Sequence, residues 1–144
     1  MIAIGSDHGG FELKKKLMEH LSERGLEYKD FGTYSSASCD YPVYAKAVAN
    51  AVASGECDRG IIICGTGIGV SITANKVRGI RAALCGDCFS AEATRQHNDA
   101  NVICISGRFV SDEDNKKIVK TFLETEFEGG RHEGRVNKIS ALEA

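Results

Sequence analysis

The sequence predicts a single α/β domain built on a five-stranded parallel sheet, doubly wound in the Rossmann or flavodoxin-like manner, with helices on both faces. Three observations predict this class. Short β-branched runs alternate with helical patterns along the chain, as βαβ units require. Three consecutive isoleucines at 61–63 are typical of a strand buried on both faces. The 144 residues contain one proline and no repeat or linker, which suits one domain spanning 1–144.

The elements follow one another at regular spacing. Strands are predicted at residues 1–5, 26–31, 61–64, 80–84 and 102–105. Helices are predicted at residues 11–24, 42–54, 70–76, 89–96 and 112–126. Leu13, Leu17 and Leu21 give the first helix its apolar stripe. Pro42 suits a helix start and Ser111 suits an N-cap.

The last stretch, residues 129–144, is polar and predicts only a short helix near its end, in a tail expected to reach a partner subunit. Five strands suit the order 2-1-3-4-5. In such sheets ligands bind at the carboxyl ends of the strands, at the switch point between the first and third strands. The loops at 6–10 and 64–69 are therefore predicted to lie side by side.

Charge and hydropathy exclude several classes of partner. The net charge of −2 gives no electrostatic reason to expect nucleic acid or an acidic membrane surface. No apolar run reaches 18 residues, so no membrane span is predicted. The first residues lack the pattern of a signal peptide, so a cytoplasmic protein is expected. In that compartment the six cysteines are expected to be free thiols.

Gly65, Gly67 and Gly69 are predicted to leave a strand and open a helix. Glycines there let backbone N–H groups point into a small concavity, which favours a bound anion. The spacing is neither a P-loop nor a dinucleotide fingerprint, because no Lys-Ser/Thr ends it and it reads G-x-G-x-G. The alternative interpretation is a tight strand-to-helix turn.

Cys64 ends the predicted strand just before these glycines, where backbone dipoles favour the thiolate. The alternative is a buried core cysteine. His8 follows a strand and His97 closes a helix, so each is a candidate acid, base or ligand, or else a surface or capping histidine. Asp7 could orient a histidine or a sugar hydroxyl, or cap a helix.

Arg131 and Arg135 are four residues apart, so they share a face if the segment is helical. Two guanidinium groups suit a phosphate, whereas the alternative is a pair of solvated arginines. Cys85 and Cys88 form a C-x-x-C pair, but no tryptophan or suitably placed proline supports a redox role. Without a second ligand pair, no metal site is predicted either.

Four segments together, at residues 5–14, 64–72, 74–83 and 95–101, resemble the family of type B ribose-5-phosphate isomerases, which also holds galactose-6-phosphate isomerase subunits. The resemblance covers almost the whole chain. It implies an aldose–ketose isomerase that acts through an enediolate without a cofactor or metal. It also implies a homodimer, or a higher assembly, whose sites are shared between subunits.

The resemblance assigns roles to individual residues. Cys64 matches the base, Thr66 a residue that contacts the reacting oxygens, and His97 the group that opens the sugar ring. The implied substrate-binding residues are Asp7, His8, Gly65, Thr66, Gly67, Ile68, Gly69, Ser71 and Asn98, with Arg108, Arg131 and Arg135 as the phosphate clamp. One branch of the family carries a Glu base inside the glycine loop. Here the loop through Ser71 holds no acid, which favours the cysteine branch.

Three alternatives are weighed against a ribose 5-phosphate isomerase. A cysteine-dependent phosphatase needs an arginine at the sixth position after the cysteine, where this chain has Val70. A non-catalytic anion-binding module explains the glycines but leaves Cys64 and His97 without a role. An isomerase of allose 6-phosphate or galactose 6-phosphate differs only by one hydroxymethylene of substrate, and the sequence does not separate it from the five-carbon enzyme.

Overall fold

Strands and helices alternate from one end of the chain to the other in the computed structural model, which describes residues 1–143. The strands are β1 (Ile2–Ser6), β2 (Tyr28–Asp30), β3 (Arg59–Cys64), β4 (Ala82–Leu84) and β5 (Val102–Ser106). The helices are α1 (Phe11–Glu23), α2 (Tyr41–Ala53), α3 (Ile68–Ala74), α4 (Cys88–Asn98), α5 (Asp112–Glu124) and α6 (Arg131–Ala141). A single 3-10 turn, His8–Gly10, joins β1 to α1.

The five strands form one sheet in which every pairing is parallel, as predicted. Alternate residues of the central strands feed two apolar layers. Ile61 and Ile63 pack with α1 and α5 on one face, and Ile62 packs with α2 and α3 on the other. Both faces of the sheet are therefore covered by helices, which confirms the doubly wound class.

The predicted strand order is wrong at one end, because the observed order is β2-β1-β3-β5-β4. All five residues of β5 are buried, which suits an interior strand paired on both sides. The three residues of β4 are partly or fully exposed, which suits a short edge strand. The switch point between β1 and β3 is unaffected by the exchange.

The predicted helix ends agree best with the structure where a capping residue marks the end. The Ser111 hydroxyl accepts from the Asp114 N–H at 3.1 Å and caps α5. Helix α3 begins at Ile68 rather than 70, after Gly67 in a left-handed conformation. The predicted short helix of the tail is the eleven-residue helix α6, and Ala144 lies outside the described residues.

All six cysteines are free thiols, as expected. No helix within residues 1–143 is both long and apolar enough to cross a membrane.

Candidate active site

The carboxyl ends of β1 and β3 bring the two unusual loops together. Ser6 and Ile63 are partners in the parallel ladder, and the Asp7 N–H donates to the Ile63 carbonyl at 3.2 Å. The two strands therefore deliver Asp7 and Cys64 to the same edge of the sheet. A cleft of about 430 Å³ opens there, lined by Asp7, Tyr41, Cys64, Gly65, Thr66, Ile68, Gly69 and Arg108.

Cys64 is buried, with 5% of its surface exposed, but it lines the cleft. Its Sγ accepts a hydrogen bond from the Gly67 N–H at 3.0 Å. A donor at this distance stabilises negative charge on sulfur more than it stabilises the neutral thiol. Complete burial raises the pKa of the Cys104 thiol far above its ordinary value. Of these two thiols, only Cys64 reaches the cleft.

The glycine loop is fixed by contacts from both sides. The Gly65 carbonyl accepts from the Ser106 hydroxyl at 2.6 Å and from the Arg108 N–H at 3.1 Å. The Ile68 N–H donates to Thr66 Oγ1 at 3.1 Å. Helix α3 starts at this point, so the N–H groups of its first turn have no acceptor within the helix. The loop is thus a rigid concavity bordered by backbone donors.

Ser71 lies one turn into α3 and does not line the cleft. Its hydroxyl donates to the Ile68 carbonyl at 2.8 Å. The hydroxyl proton is therefore used within the helix, and the oxygen remains as an acceptor.

Asp7 precedes the 3-10 turn, and His8 is the first residue of that turn. Asp7 Oδ1 accepts from the Gly10 N–H at 3.1 Å, so it caps the turn as the alternative interpretation predicted. It also lines the cleft, and its second carboxylate oxygen is left for a ligand. The His8 Nδ1 accepts from the Cys39 N–H at 3.2 Å, which places the proton of a neutral ring on Nε2.

Tyr41 was missed by the sequence reasoning, although it also lines the cleft. A Cβ added to Gly69 would lie 2.6 Å from its ring, so the ring packs directly on the glycine loop. The signal was its place immediately before Pro42 at the start of α2, which brings the residue to the carboxyl edge of the sheet.

Arg108 follows β5 and covers the glycine loop from the other side. A Cβ added to Gly65 would lie 3.5 Å from the Arg108 Cζ. The guanidinium is therefore held against the loop without a carboxylate partner among residues 1–143. It remains available for an anion in the cleft.

Besides Ser71, the predicted site residues His97, Asn98, Arg131 and Arg135 lie away from this cleft within one chain. Helix α4 starts just after β4 and ends just before β5, so His97 and Asn98 lie near the amino edge of the sheet. Cys64 lies at the carboxyl edge, and the five residues of β5 span about 16 Å between these edges. Asn98 lines a separate cavity between α4 and β4. Arg131 and Arg135 are on α6, which packs against α4.

The fold and the cleft define a class: an α/β enzyme with a thiol and a glycine loop at the switch point of the sheet. The chain belongs to the ribose/galactose isomerase family, whose model matches residues 2–139. It is 54% identical to ribose-5-phosphate isomerase B of Escherichia coli over 142 residues, covering 99% of this chain and 95% of the relative.

Solved structures agree with this membership. A ribose-5-phosphate isomerase B from Clostridium thermocellum superposes with a TM-score of 0.97 at 54% identity, covering 99% of this chain and 96% of that one. The Mycoplasma genitalium enzyme, solved with bound ribulose-5-phosphate, superposes with a TM-score of 0.95 at 49% identity, covering 99% and 95%.

Proposed function

We propose that this chain interconverts ribose 5-phosphate and ribulose 5-phosphate, with Cys64 as the base. The substrate rests on the named relatives and on the family, and the isomerase class fits the cleft. The single observation that carries the choice of base is the hydrogen bond from the Gly67 N–H to the Cys64 Sγ at 3.0 Å. That contact stabilises a thiolate beside a backbone anion site, which is the pairing that proton abstraction next to a carbonyl needs.

The proposed reaction moves one proton from C2 to C1 and a second from O2 to O1. The Cys64 thiolate removes the proton from C2 of the open-chain aldose, and an enediolate forms across C1 and C2. The resulting thiol returns a proton to C1, while the O2 hydroxyl loses its proton to give the ketone and O1 gains one. Carbon is oxidised at C2 and reduced at C1 within the same molecule, so the reaction needs no external oxidant or reductant.

The glycine loop and the residues around it support this step. The backbone N–H groups of the loop 65–69 that are not bonded to Cys64 Sγ or Thr66 Oγ1 would face the enediolate oxygens, where one well-placed donor contributes about 3–4 kcal/mol. The exposed Thr66 hydroxyl borders the same space. Asp7 and His8 would bind sugar hydroxyls. Ser71, whose hydroxyl donates to the Ile68 carbonyl, would act by holding the first turn of α3.

The phosphate clamp and the ring-opening group would come from a partner subunit. Within one chain, His97, Asn98, Arg131 and Arg135 lie apart from the cleft, which agrees with composite sites in a dimer. Three apolar side chains on α3 and β4, next to the cleft, support a partner at this surface. They are Ile68, Ile72 and Leu84, with 50%, 59% and 45% of their surfaces exposed. Arg108 would then meet the phosphate from the chain that supplies Cys64.

The base assignment is tested by a pair of cysteine variants. Cys64→Ala should reduce turnover by about 100-fold or more, which is the usual contribution of a general base, while substrate still binds. Cys88→Ala, which removes an exposed thiol, should leave turnover unchanged. A Cys64→Ala protein that keeps more than about a tenth of wild-type turnover would exclude Cys64 as the essential base.

The six-carbon alternative stays open because the family includes galactose isomerases as well as ribose isomerases. Values of kcat/KM for ribose 5-phosphate, allose 6-phosphate and galactose 6-phosphate, measured on one preparation, decide between them. The proposal expects the highest value for ribose 5-phosphate. A cytoplasmic location stays a prediction, which fractionation of the source cells tests.

A further inference from the structure

Three side chains with metal-binding atoms converge outside the cleft. His97 lies in the last turn of α4, Glu128 in the segment between α5 and α6, and His132 in the first turn of α6. One ligand atom from each residue lies within 4.8 Å of the other two. The Glu128 N–H donates to the Gln96 carbonyl at 3.1 Å, which fastens the intervening segment to the end of α4. This hydrogen bond therefore holds the backbone of Glu128 next to the turn that carries His97.

The geometry aims both imidazoles at one carboxylate. Glu128 Oε1 lies 3.4 Å from His97 Nε2 and 3.8 Å from His132 Nε2. The two rings stack with their centroids 4.4 Å apart and their planes 21° from parallel. Both Nε2 atoms therefore lie on the same side of the stack, facing Glu128.

We propose that His97, Glu128 and His132 form a binding site for a transition-metal ion of the Zn²⁺ type. Bonds of about 2.0–2.2 Å to nitrogen and oxygen place the ligand atoms of a tetrahedral ion about 3.4 Å apart. Two of the three separations are already close to that value. The remaining contraction is small for His97 and Glu128, whose side chains are 47% and 50% exposed and can rotate.

The donor set selects the kind of ion. Two imidazole nitrogens and one carboxylate oxygen suit zinc and its first-row neighbours, whereas Ca²⁺ and Mg²⁺ require mainly oxygen ligands. Arg131 and Arg135 lie on the same helix as His132, and their positive charges disfavour a cation that is bound only weakly. Three protein ligands would leave a fourth coordination position for water or a small ligand, as in catalytic zinc sites.

Occupation of the site would change the enzyme. A metal ion bound to His97 Nε2 would occupy the lone pair of that nitrogen, so the nitrogen could no longer exchange a proton with the sugar during ring opening. This consequence rests on the proposed function, whereas metal binding itself does not. The ion is thus expected to act as a reversible inhibitor that is removed by a chelator.

Metal binding is tested on the metal-free full-length protein by calorimetric titration with ZnCl₂. One ion per chain should bind to the wild type, and Glu128→Gln and His132→Ala should each weaken binding at least about tenfold, as loss of a ligand or its support does. The matched controls are Glu126→Gln, an exposed carboxylate two residues away, and His20→Ala on α1, which should bind as the wild type does. Binding that is unchanged in both ligand variants would overturn the site.

Exposed thiols are the competing ligands, and CoCl₂ distinguishes them. A cobalt ion held by imidazole and carboxylate gives weak visible bands without the intense sulfur-to-cobalt absorption in the near ultraviolet. That spectrum, lost in His132→Ala, supports the proposal. An intense sulfur band that persists in the variant would place the ion on cysteines and overturn it.

Inhibition is measured separately, on the rate of ribose 5-phosphate isomerisation. The Zn²⁺ concentration that inhibits the wild type should be at least about tenfold lower than the concentration that inhibits Glu128→Gln, because the variant has lost affinity for the ion. Equal sensitivity of the two proteins would overturn the inhibitory consequence. Failure of the proposed function would instead show as no isomerisation in the metal-free wild type.

Discussion

The ammonium of Lys14 donates to Asp30 Oδ1 at 2.7 Å although the lysine side chain is completely buried. It also donates to the Thr33 carbonyl. The N–H of Thr33 in turn pairs with the Ser6 carbonyl at 2.7 Å, one residue before Asp7. One buried cation on α1 therefore connects the segment after β2 to the strand end that carries the cleft.

Lys14→Met should destabilise the fold by about 3 kcal/mol, because it leaves a carboxylate and a carbonyl without their buried donor. This value is at the lower end of the range for removing one partner of a buried ion pair, since Asp30 is 25% exposed. Urea unfolding measures it. Lys15→Met is the matched control, because that lysine is 48% exposed and pairs with Glu12 at the surface, and it should cost less than about 1 kcal/mol. Equal losses in the two variants would contradict the structural role.

Gly67→Ala should impair catalysis through backbone displacement. Gly67 has φ of +81°, and an added Cβ would lie 2.6 Å from Leu84 and 3.0 Å from the Ile105 backbone. The N–H that faces Cys64 must therefore move, and a displacement of about 1 Å can cost about 100-fold in rate. Gly86→Ala, with nothing within 4 Å, should keep wild-type kcat/KM. A fully active Gly67→Ala enzyme would show that the Gly67 contact does not matter.

Removing the proposed clamp should separate phosphate binding from proton transfer. The double change Arg131→Ala and Arg135→Ala is expected to lower kcat/KM for ribose 5-phosphate by at least about 100-fold, since charge-assisted hydrogen bonds contribute about 1.5–3 kcal/mol each. Activity on free sugars should fall far less. Lys138→Ala, a neighbouring charge on α6, is the control. Equal losses on sugar and sugar phosphate would mean that these arginines do something else.

Subunit complementation tests the shared site. Cys64→Ala and His97→Ala chains, each inactive alone, are mixed under conditions of verified subunit exchange. If the two residues meet across an interface, each mixed dimer has one intact site and one doubly altered site. Random exchange then makes half the dimers mixed and restores roughly a quarter of wild-type activity, by counting sites in a cyclic dimer. No regained activity would refute the shared site, and an active monomer would refute the dimer.

The sequence by itself determined the fold class and most element positions, because these depend on local periodicity and capping. The isoleucines of β3, the leucine stripe of α1 and the Ser111 cap each act over a few residues. The meeting of Asp7 with Cys64 was also predictable, since the rule for parallel sheets brings those strand ends together.

Only the tertiary structure decided what depends on distant packing. The positions of β4 and β5 in the sheet depend on how much of each strand the neighbouring elements cover. Those elements are distant in the sequence. Tyr41 reaches the cleft because α2 packs on α3, and its sequence position carries only a weak sign of that. His97, Glu128 and His132 meet because α6 folds back on α4, and their spacing of 31 and 4 residues matches no local ligand motif. Long-range contacts of this kind arise from the whole chain burying its apolar surface, so no short segment encodes them.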